Sequence, residues 1–256
     1  MGKKITFKTI SLGSEPDIPS IRELTGFVSA HHGIEMDLIR FQLSHSLSAQ
    51  SDAGIGIPAA GGRFYSLRMN KALTWDPDSG LRTDPSDLVS DVSFLKKTCS
   101  SFRSVHESPG LLKPGLLDDE DSLAEYCHGY LQLLRSVRDA GVFGHVIHAR
   151  EPSPVELELL CGPKTLCYIH DPSPEDLEEL LELTGDIILH ARDIGVIPDL
   201  LDRFQPRNLI ICEPDTRALG RVLEMTDQDH ILVAGYGEGS EYEYWKKIGE
   251  SAIISL

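Results

Sequence analysis

From residue 144 onward, short apolar runs alternate with amphipathic segments at a spacing of about 20–23 residues. The runs are apolar throughout rather than at every second position, which is typical of parallel strands buried on both faces of a sheet. The segments between them carry leucines at helical spacing, as at Leu177, Leu180 and Leu181. The pattern predicts five strands separated by helices, at residues 145–149, 165–170, 186–191, 208–213 and 231–236.

Two of these predicted helices share a starting signal. Residues 153–156 (SPVE) and 173–176 (SPED) each supply a serine N-cap, a proline at the first helical position and an acid at the third. These residues satisfy unpaired amide donors of the first turn and complement the helix dipole. Asp215 precedes the next helix in the same way. The C-terminal half is therefore predicted to be a series of strand–helix units.

The N-terminal half predicts three more strands and three helices. The strands lie at residues 4–11, 34–41 and 102–107, and the helices near 20–33, 85–98 and 121–140. Eight strands that alternate with helices predict an α/β fold, a (β/α)8 barrel of the TIM type, in one domain over residues 1–256. An open, doubly wound sheet is the alternative.

Residues 44–84 are longer than a connection after the second strand requires. The serine- and glycine-rich part, 50–63, predicts an exposed, mobile segment that covers the strand ends as a lid. We therefore interpret 44–84 as an insertion or lid. If residues 63–70 (RFYSLRMN) form the second strand instead, the count of eight is kept but the topology of this quarter changes.

Charge and cysteine content narrow the class of protein. The net charge of −16 argues against a general nucleic-acid or anionic-membrane surface, because phosphate binding needs clustered Lys and Arg. The five cysteines include no CxxC pair and predict small buried side chains in a reducing, cytoplasmic compartment. No apolar run approaches the roughly 18 residues that cross a bilayer.

Titratable side chains recur where the predicted strands end. Since the carboxyl ends of barrel strands meet on one face and supply the catalytic groups, these residues predict one site. The candidates are His106, Glu107, His148, Arg150, His170, Asp171, His190, Arg192, Asp193 and Glu213.

Imidazole and carboxylate groups from several strands suit a divalent Zn, Mn or Fe ion. A single histidine at a strand end is more often a hydrogen-bonded rim residue than a functional one. Four histidines on neighbouring strands make a metal or acid–base site as plausible as a set of hydrogen-bonded rim residues. The predicted metal ligands are His106, His148, His170, His190 and Glu213. Glu107, Asp171 and Asp193 are the predicted catalytic carboxylates, which move protons.

Two arginines and a glycine-rich turn are the predicted substrate-binding groups. Arg150 and Arg192 each lie two residues after a strand-end histidine, so each shares its face, and guanidinium groups there suit a carboxylate or phosphate. Equally, both arginines can neutralise nearby carboxylates in a structural network. Backbone amides at Gly237 and Gly239, after the last strand, are a candidate phosphate cradle.

One stretch resembles a known family. The segment KKTCSSFRSVHESPGLL, the predicted helix 121–140 and FGHVIHA are similar to the xylose-isomerase-like barrels, which include sugar isomerases, epimerases and AP endonucleases. The resemblance covers about residues 90–150 and implies a divalent-metal barrel in which His106 and His148 match the family's first two histidines. The chain departs from the family at 170–171 (HD), where a glutamate is usual, and at 190–193 (HARD), where the family has D-x-x-H.

Two hypotheses about function follow. The first is a metal-dependent isomerase, epimerase or hydrolase that acts on a small anionic, sugar- or carboxylate-like substrate, with no nucleic-acid or membrane partner. The second is a non-catalytic barrel that binds a ligand or a partner and holds its strand-end groups in hydrogen-bonded pairs.

Overall fold

The structure, a computed structural model, describes residues 4–32, 35–76, 80–116, 119–238 and 241–255. Its strands are β1 (Lys4–Thr6), β2 (Lys8–Glu15), β3 (Ala59–Gly61), β4 (Leu73–Asp76), β5 (Gly80–Thr83), β6 (Arg103–Glu107), β7 (Gly144–Ala149), β8 (Thr165–Ile169), β9 (Asp186–His190), β10 (Asn208–Cys212), β11 (Ile231–Glu238) and β12 (Ile253–Ser255).

Eleven α-helices and four short 3-10 helices connect the described strands. The α-helices are α1 (Ile21–Ala30), α2 (Leu38–Asp52), α3 (Ser66–Ala72), α4 (Ser86–Leu95), α5 (Pro109–Leu112), α6 (Glu120–Asp139), α7 (Pro154–Leu160), α8 (Pro174–Thr184), α9 (Ile197–Leu201), α10 (Thr216–Leu223) and α11 (Glu241–Ser251). The 3-10 helices are Arg63–Tyr65, Pro114–Leu116, Ala191–Val196 and Gln228–His230. No described helix is long and apolar enough to span a membrane.

Eight parallel strands follow one another in chain order, as in a (β/α)8 barrel. They form two hydrogen-bonded sheets, β3-β6-β7-β8 and β9-β10-β11-β2. A short parallel bridge joins the sheets on one side, where the Ser11 and Ile57 amides donate to Ile57 and Thr9 at 2.9 and 3.0 Å. On the other side β8 and β9 are neighbours without a ladder between them in the described chain. The hairpin β4–β5 and the pair β1–β12 are antiparallel and lie outside this succession.

Alternate residues of the eight strands divide the core into layers. One buried cluster draws on all eight strands and on no helix, so it fills the barrel interior; Val146, Leu166 and Ile210 belong to it. Two further clusters pack the outward-facing strand residues against the helices. Side chains that continue the interior register beyond the strand ends must therefore converge on the mouth of the barrel.

The predictions for the C-terminal half are confirmed. The strands β6 to β11 match the six predicted from residue 102 onward to within two residues at each end. The side chains of Ser153, Ser173 and Asp215 accept hydrogen bonds from the third helical amide of α7, α8 and α10, at 3.2, 3.1 and 2.7 Å. Both serine caps are completed by the predicted acid, Glu156 or Asp176.

The second barrel strand is not at 34–41, as predicted. Residues 35–37 lead into α2 and residues 38–41 belong to it, because Asp37 caps the helix by accepting from the Arg40 amide at 2.9 Å. Leu43 and Leu47 of α2 are buried at helical spacing. The alternative at 63–70 is also wrong, since those residues form a 3-10 turn and α3.

The strand lies instead in the glycine-rich segment 50–63, which was predicted to be an exposed lid. Ala59 and Ala60 are buried, and the Gln50 side chain holds β3 by donating to the Ala59 carbonyl at 2.8 Å and accepting from its amide at 2.7 Å. At Gly61, φ is +118° and a Cβ would lie 2.4 Å from the Val105 carbonyl oxygen. Small residues are there because the neighbouring strand is too close for larger ones, so this part of 44–84 is barrel wall rather than insertion.

The expectation that every cysteine is reduced is wrong for one pair. Cys161, at the end of α7, and Cys167, in β8, are joined by a disulfide, with Cα atoms 6.3 Å apart. The two cysteines meet because the end of α7 lies close to β8. Their separation of six residues in the sequence does not reveal this approach. Cys127 and Cys212 are free and buried, and Cys99 is free and half-buried.

Candidate functional site

A cavity of about 460 Å³ opens at the carboxyl ends of β8 to β11. Strand-end side chains and the first turn of the following segments surround it, which is where (β/α)8 barrel enzymes carry their active sites. The described residues that line it are Tyr168, His170, Asp171, His190, Arg192, Cys212, Glu213, Tyr236, Glu238 and Tyr244.

His170 stands in the middle of an aromatic group in this cavity. Its ring centroid lies 4.7 Å from that of Tyr168, 5.2 Å from that of His148 and 6.3 Å from that of Tyr236. Burial, and then the charge of Arg150, lower the pKa of His170. The imidazole is therefore neutral at pH 7 and can accept a proton.

A tyrosine–histidine pair closes the gap between β8 and β9. The Tyr168 hydroxyl and His190 Nε2 are 2.9 Å apart and share a hydrogen bond. Burial raises the pKa of Tyr168, with the thiol of Cys212 adding to the effect, so the phenol keeps its proton. The pair links two protonatable groups across the part of the barrel that lacks backbone bonds.

Glu213 has an unusual backbone conformation at the end of β10. Its φ of 53° is the only positive value at a non-glycine residue in the described chain. Such left-handed conformations cost free energy and cluster at functional sites. The Tyr244 hydroxyl donates to Glu213 Oε1 at 2.6 Å. This bond and the bent backbone aim the carboxylate at the cavity.

The cavity carries charges of both signs. Arg192 Nη2 lies 2.9 Å from Asp171 Oδ1, and its Nε lies 3.4 Å from Asp193 Oδ2. Arg192 and Asp171 are 66% and 77% exposed, so solvent screens their pairing and each stays accessible to a ligand. Glu213 and Glu238 are the other lining carboxylates.

His148 and His106 are held as structural groups. His148 Nε2 donates to the Leu12 carbonyl at 2.7 Å, and burial lowers the pKa of His148 to about 3. His106 faces the helix layer, where its ring meets Tyr65 and Tyr130, and its Nε2 bonds to the Ser104 hydroxyl at 2.9 Å. Burial lowers the pKa of His106 well below its usual value.

The described residues contain no group of three or more His, Cys, Asp or Glu side chains that could hold a metal ion. The predicted ligand set is therefore not assembled. His106 points away from the mouth. His148 Nε2 is hydrogen-bonded to the Leu12 carbonyl and His190 Nε2 to the Tyr168 hydroxyl. Glu213 Oε1 accepts a hydrogen bond from the Tyr244 hydroxyl. The described residues at the mouth therefore do not fit a divalent metal.

The remaining predicted site residues do not line the cavity, and those that the structure describes make other contacts than the predicted ones. The Glu107 side chain accepts from the Ser66 hydroxyl, and Asp193 contacts Arg192. Arg150 is exposed and acts on the site through its charge, which lowers the pKa of His170. Gly237 belongs to β11, where a Cβ would lie 3.3 Å from Trp245 and from Ser14, so it serves close packing rather than a phosphate cradle. Gly239 lies outside the described residues.

Three tyrosines, Cys212 and Glu238 complete the cavity but are missing from the sequence prediction. Tyr168 and Tyr236 stand inside apolar runs, where an aromatic residue is normally core. Their position along the strand could have indicated the cavity: Tyr168 lies two residues before His170, so its side chain points to the same face of the strand. Tyr236 is fixed by its hydroxyl, which donates to Glu15 Oε1. No feature of the neighbouring sequence predicts that Tyr244, which lies in α11, would contact the cavity.

No protein-family model matches the sequence, and no curated protein is significantly similar to it. Among solved structures, the chain is similar to a B12-independent methionine synthase from Shewanella sp. W3-18-1 in complex with selenomethionine, with a TM-score of 0.60 and 15% identity over 84% of this chain and 86% of that one. It also matches a homocysteine methyltransferase from Escherichia coli, with a TM-score of 0.43 and 13% identity over 96% of both chains.

A third match is tryptophan synthase subunit alpha from Legionella pneumophila, with a TM-score of 0.32 and 11% identity over 96% of this chain and 88% of that one. The likeness to the Shewanella structure shows the fold, an α/β barrel of the TIM type.

The resemblance to xylose-isomerase-like barrels is wrong, because the solved structure that shares the fold, the Shewanella methionine synthase, is a protein of another kind. A histidine after each of two successive strands, with a long helix between, is compatible with many (β/α)8 barrels and does not identify one family. The isomerase and epimerase assignments rested on that resemblance and lose their support with it. The hydrolase assignment rested on a metal ion that activates water, and the described residues form no group that could hold one.

Proposed function

We propose that the chain is an enzyme whose mouth cavity binds a small amino-acid-like ligand carrying both a carboxylate and an ammonium group. The observation that carries the proposal is the charge pattern of the cavity: one guanidinium, Arg192, and three carboxylates around a neutral imidazole, His170. A simple anion would meet more negative than positive charge there. A zwitterion can place its carboxylate at Arg192 and its ammonium at Glu213 or Glu238.

The comparison with the Shewanella methionine synthase supports the same ligand class. That protein shares the fold and is in complex with selenomethionine, an amino acid. For this chain we propose methyl transfer to or from such a ligand as the reaction class. In the direction of transfer to the ligand, a thiol on the ligand would give its proton to His170 while its sulfur bonds to the methyl group. The bond between the methyl group and a second substrate, a sulfonium- or ammonium-type donor, would break, and its electron pair would leave with the demethylated donor. The Tyr168–His190 pair would pass the thiol proton on across the mouth.

A non-catalytic ligand-binding barrel is the second candidate. The internal hydrogen bonds of His148 and His190 favour it, because they hold imidazole nitrogens away from chemistry. His170→Gln separates the two candidates. An enzyme should lose turnover and keep binding within a few-fold, whereas a binding module has no turnover to lose.

Calorimetric titration with L-methionine tests the ligand class directly. Two truncated analogues accompany it: 3-(methylthio)propylamine, which lacks the carboxylate, and 4-(methylthio)butanoate, which lacks the ammonium. Both should bind more weakly than methionine, by about tenfold or more if each loses a charge-assisted bond of about 1.5–3 kcal/mol.

Arg192→Gln should weaken methionine to the level of the amine analogue and leave the amine unchanged. Arg203→Gln is the matched control, since Arg203 also forms an exposed ion pair, with Glu178, outside the cavity lining. Equal binding of all three ligands, or equal losses in both arginine variants, would show that the cavity does not recognise a zwitterion.

A further inference from the structure

A second cavity, of about 680 Å³, lies outside the barrel beneath the β4–β5 hairpin. Its walls are α3, both hairpin strands, the end of α5 with residues 113–115, and α6. Most of the lining is apolar, with Leu73, Trp75, Leu81 and Leu112 as its main side chains. The volume falls within the range of about 300–1,000 Å³ that is typical of small-molecule sites.

Two polar side chains in this lining have no hydrogen-bond partner among the described residues. The Tyr126 hydroxyl and Asn70 Oδ1 are both closed off from solvent. Tyr126 is only 5% exposed, and burial raises its pKa to about 12, so the hydroxyl keeps its proton and can donate. A buried donor and a buried acceptor that lack partners cost free energy, which a ligand that pairs with both would recover.

The hairpin is packed on α6 by specific contacts. At Gly129, in the middle of α6, a Cβ would lie 2.4 Å from Leu81 Cδ2, so the bare helix backbone receives the leucine. The Thr83 hydroxyl donates to Gln132 Oε1 at 3.3 Å, and the Asp84 amide donates to the Ala72 carbonyl at 2.8 Å. These contacts fix the roof of the cavity, and Trp75 stands at the opening, 60% exposed.

We propose that this cavity is a second ligand site, for an uncharged, mostly apolar molecule that carries a hydrogen-bond acceptor beside a donor. A primary carboxamide on a fused aromatic ring has this chemistry. With a small rotation of the two side chains toward the cavity, its carbonyl would accept from the Tyr126 hydroxyl and its amide hydrogens would reach Asn70 Oδ1. Lys113, exposed, is the one charged residue in the described lining, so the interior disfavours ions.

Calorimetric titration with three probes of one shape tests the proposal: 2-naphthamide, 2-methylnaphthalene and 2-naphthoate. The amide should bind best, because it alone offers both an acceptor and a donor without a charge. The methyl compound should bind less tightly by about 2- to 10-fold for each hydrogen bond lost. Absence of saturable amide binding, or naphthoate binding as tight as that of the amide, would overturn the proposal.

Tyr126→Phe and Tyr130→Phe form a matched pair on the same face of α6. The Tyr130 hydroxyl already donates to the Glu107 carbonyl at 2.8 Å, whereas the Tyr126 hydroxyl has no described partner. Tyr126→Phe should weaken the amide by about 2- to 10-fold, leave methylnaphthalene unchanged and raise the Tm of the free protein. Tyr130→Phe should lower the Tm and leave amide binding unchanged.

Three results would contradict the proposal: equal losses for amide and methylnaphthalene in Tyr126→Phe, a lower Tm in that variant, or an equal loss of amide binding in Tyr130→Phe. Each would mean that the Tyr126 hydroxyl is not an unpaired donor facing a ligand.

Discussion

Two buried histidines are kept neutral by their surroundings. His145 lies behind the sheet, where its Nδ1 bonds to the Ser104 hydroxyl at 2.8 Å, and burial followed by the charge of Arg138 lowers its pKa to about 4. For His148, burial lowers the pKa to about 3 against the opposing effect of its bond to Leu12. In the unfolded chain both imidazoles would titrate near pH 6.5. The folded protein therefore binds fewer protons than the unfolded chain in the acid range.

This difference predicts a loss of stability with acid. The stabilisation is complete above about pH 6.5 and falls as pH drops toward 4 for His145 and 3 for His148, by about 1.4 kcal/mol per pH unit for each histidine. Urea unfolding at pH 7, 6 and 5 measures how steeply the free energy of unfolding changes with pH. His145→Gln should flatten this dependence, whereas His128→Gln, on the exposed face of α6, should not. An unchanged slope in His145→Gln would contradict the neutral, buried state.

At the scale of single residues, the sequence located half of the cavity. His170, Asp171, His190, Arg192 and Glu213 were predicted from their place after apolar runs, and all five line it. The predicted metal ligands are not brought together, because His106 faces the helices and the side chains of His148, His190 and Glu213 bond to Leu12, Tyr168 and Tyr244, which are tertiary contacts that the sequence does not reveal. The tyrosines were missed because their hydroxyl partners come from distant parts of the chain.

Among the elements, β3 shows how a strand can escape detection. It has three residues, Ala-Ala-Gly, and no side chain large enough to give a pattern. Its place is set by Gln50 of α2 and by the close approach of Val105, both of which are tertiary contacts. The longer strands β7 to β11 carry continuous apolar runs, so they were predicted.

Gly61→Ala tests this account of β3. The variant should lose roughly 2 kcal/mol or more of unfolding free energy, because a Cβ would meet the Val105 carbonyl and φ is +118°. Gly220→Ala is the control: Gly220 lies in α10 with nothing within 4 Å of a Cβ, so alanine should stabilise by about 0.5–1 kcal/mol. Denaturant titration compares the two. A neutral Gly61→Ala would mean that β3 does not pack against β6 as described.

For the whole molecule, the barrel class and the succession of strands from β6 to β11 were predicted, whereas the position of β3 and the break in the ring of hydrogen bonds were not. The period of strand and helix follows from local patterns, which are visible in one sequence. Whether β8 and β9 share a ladder depends on how the two sheets meet, which no local pattern encodes. Side chains join them instead, through Tyr168 and His190.

The break predicts uneven protection of backbone amides. In β9 the edge that faces β8 has no ladder bonds in the described chain, whereas β10 is paired on both sides. Peptides from β9 should therefore exchange amide hydrogens faster than peptides from β10. Hydrogen exchange followed by mass spectrometry measures this, and equal protection of the two strands would show that the ring is continuous.

The proposed function requires that the mouth of the barrel holds an amino-acid-like ligand. Crystals of the protein soaked in selenomethionine test it most directly, because the anomalous signal of selenium locates the ligand without prior assumptions. The account predicts one selenium peak within the cavity between His170 and Glu213, with the ligand carboxylate at Arg192. A selenium peak only outside this cavity, or none at a saturating concentration, would contradict it.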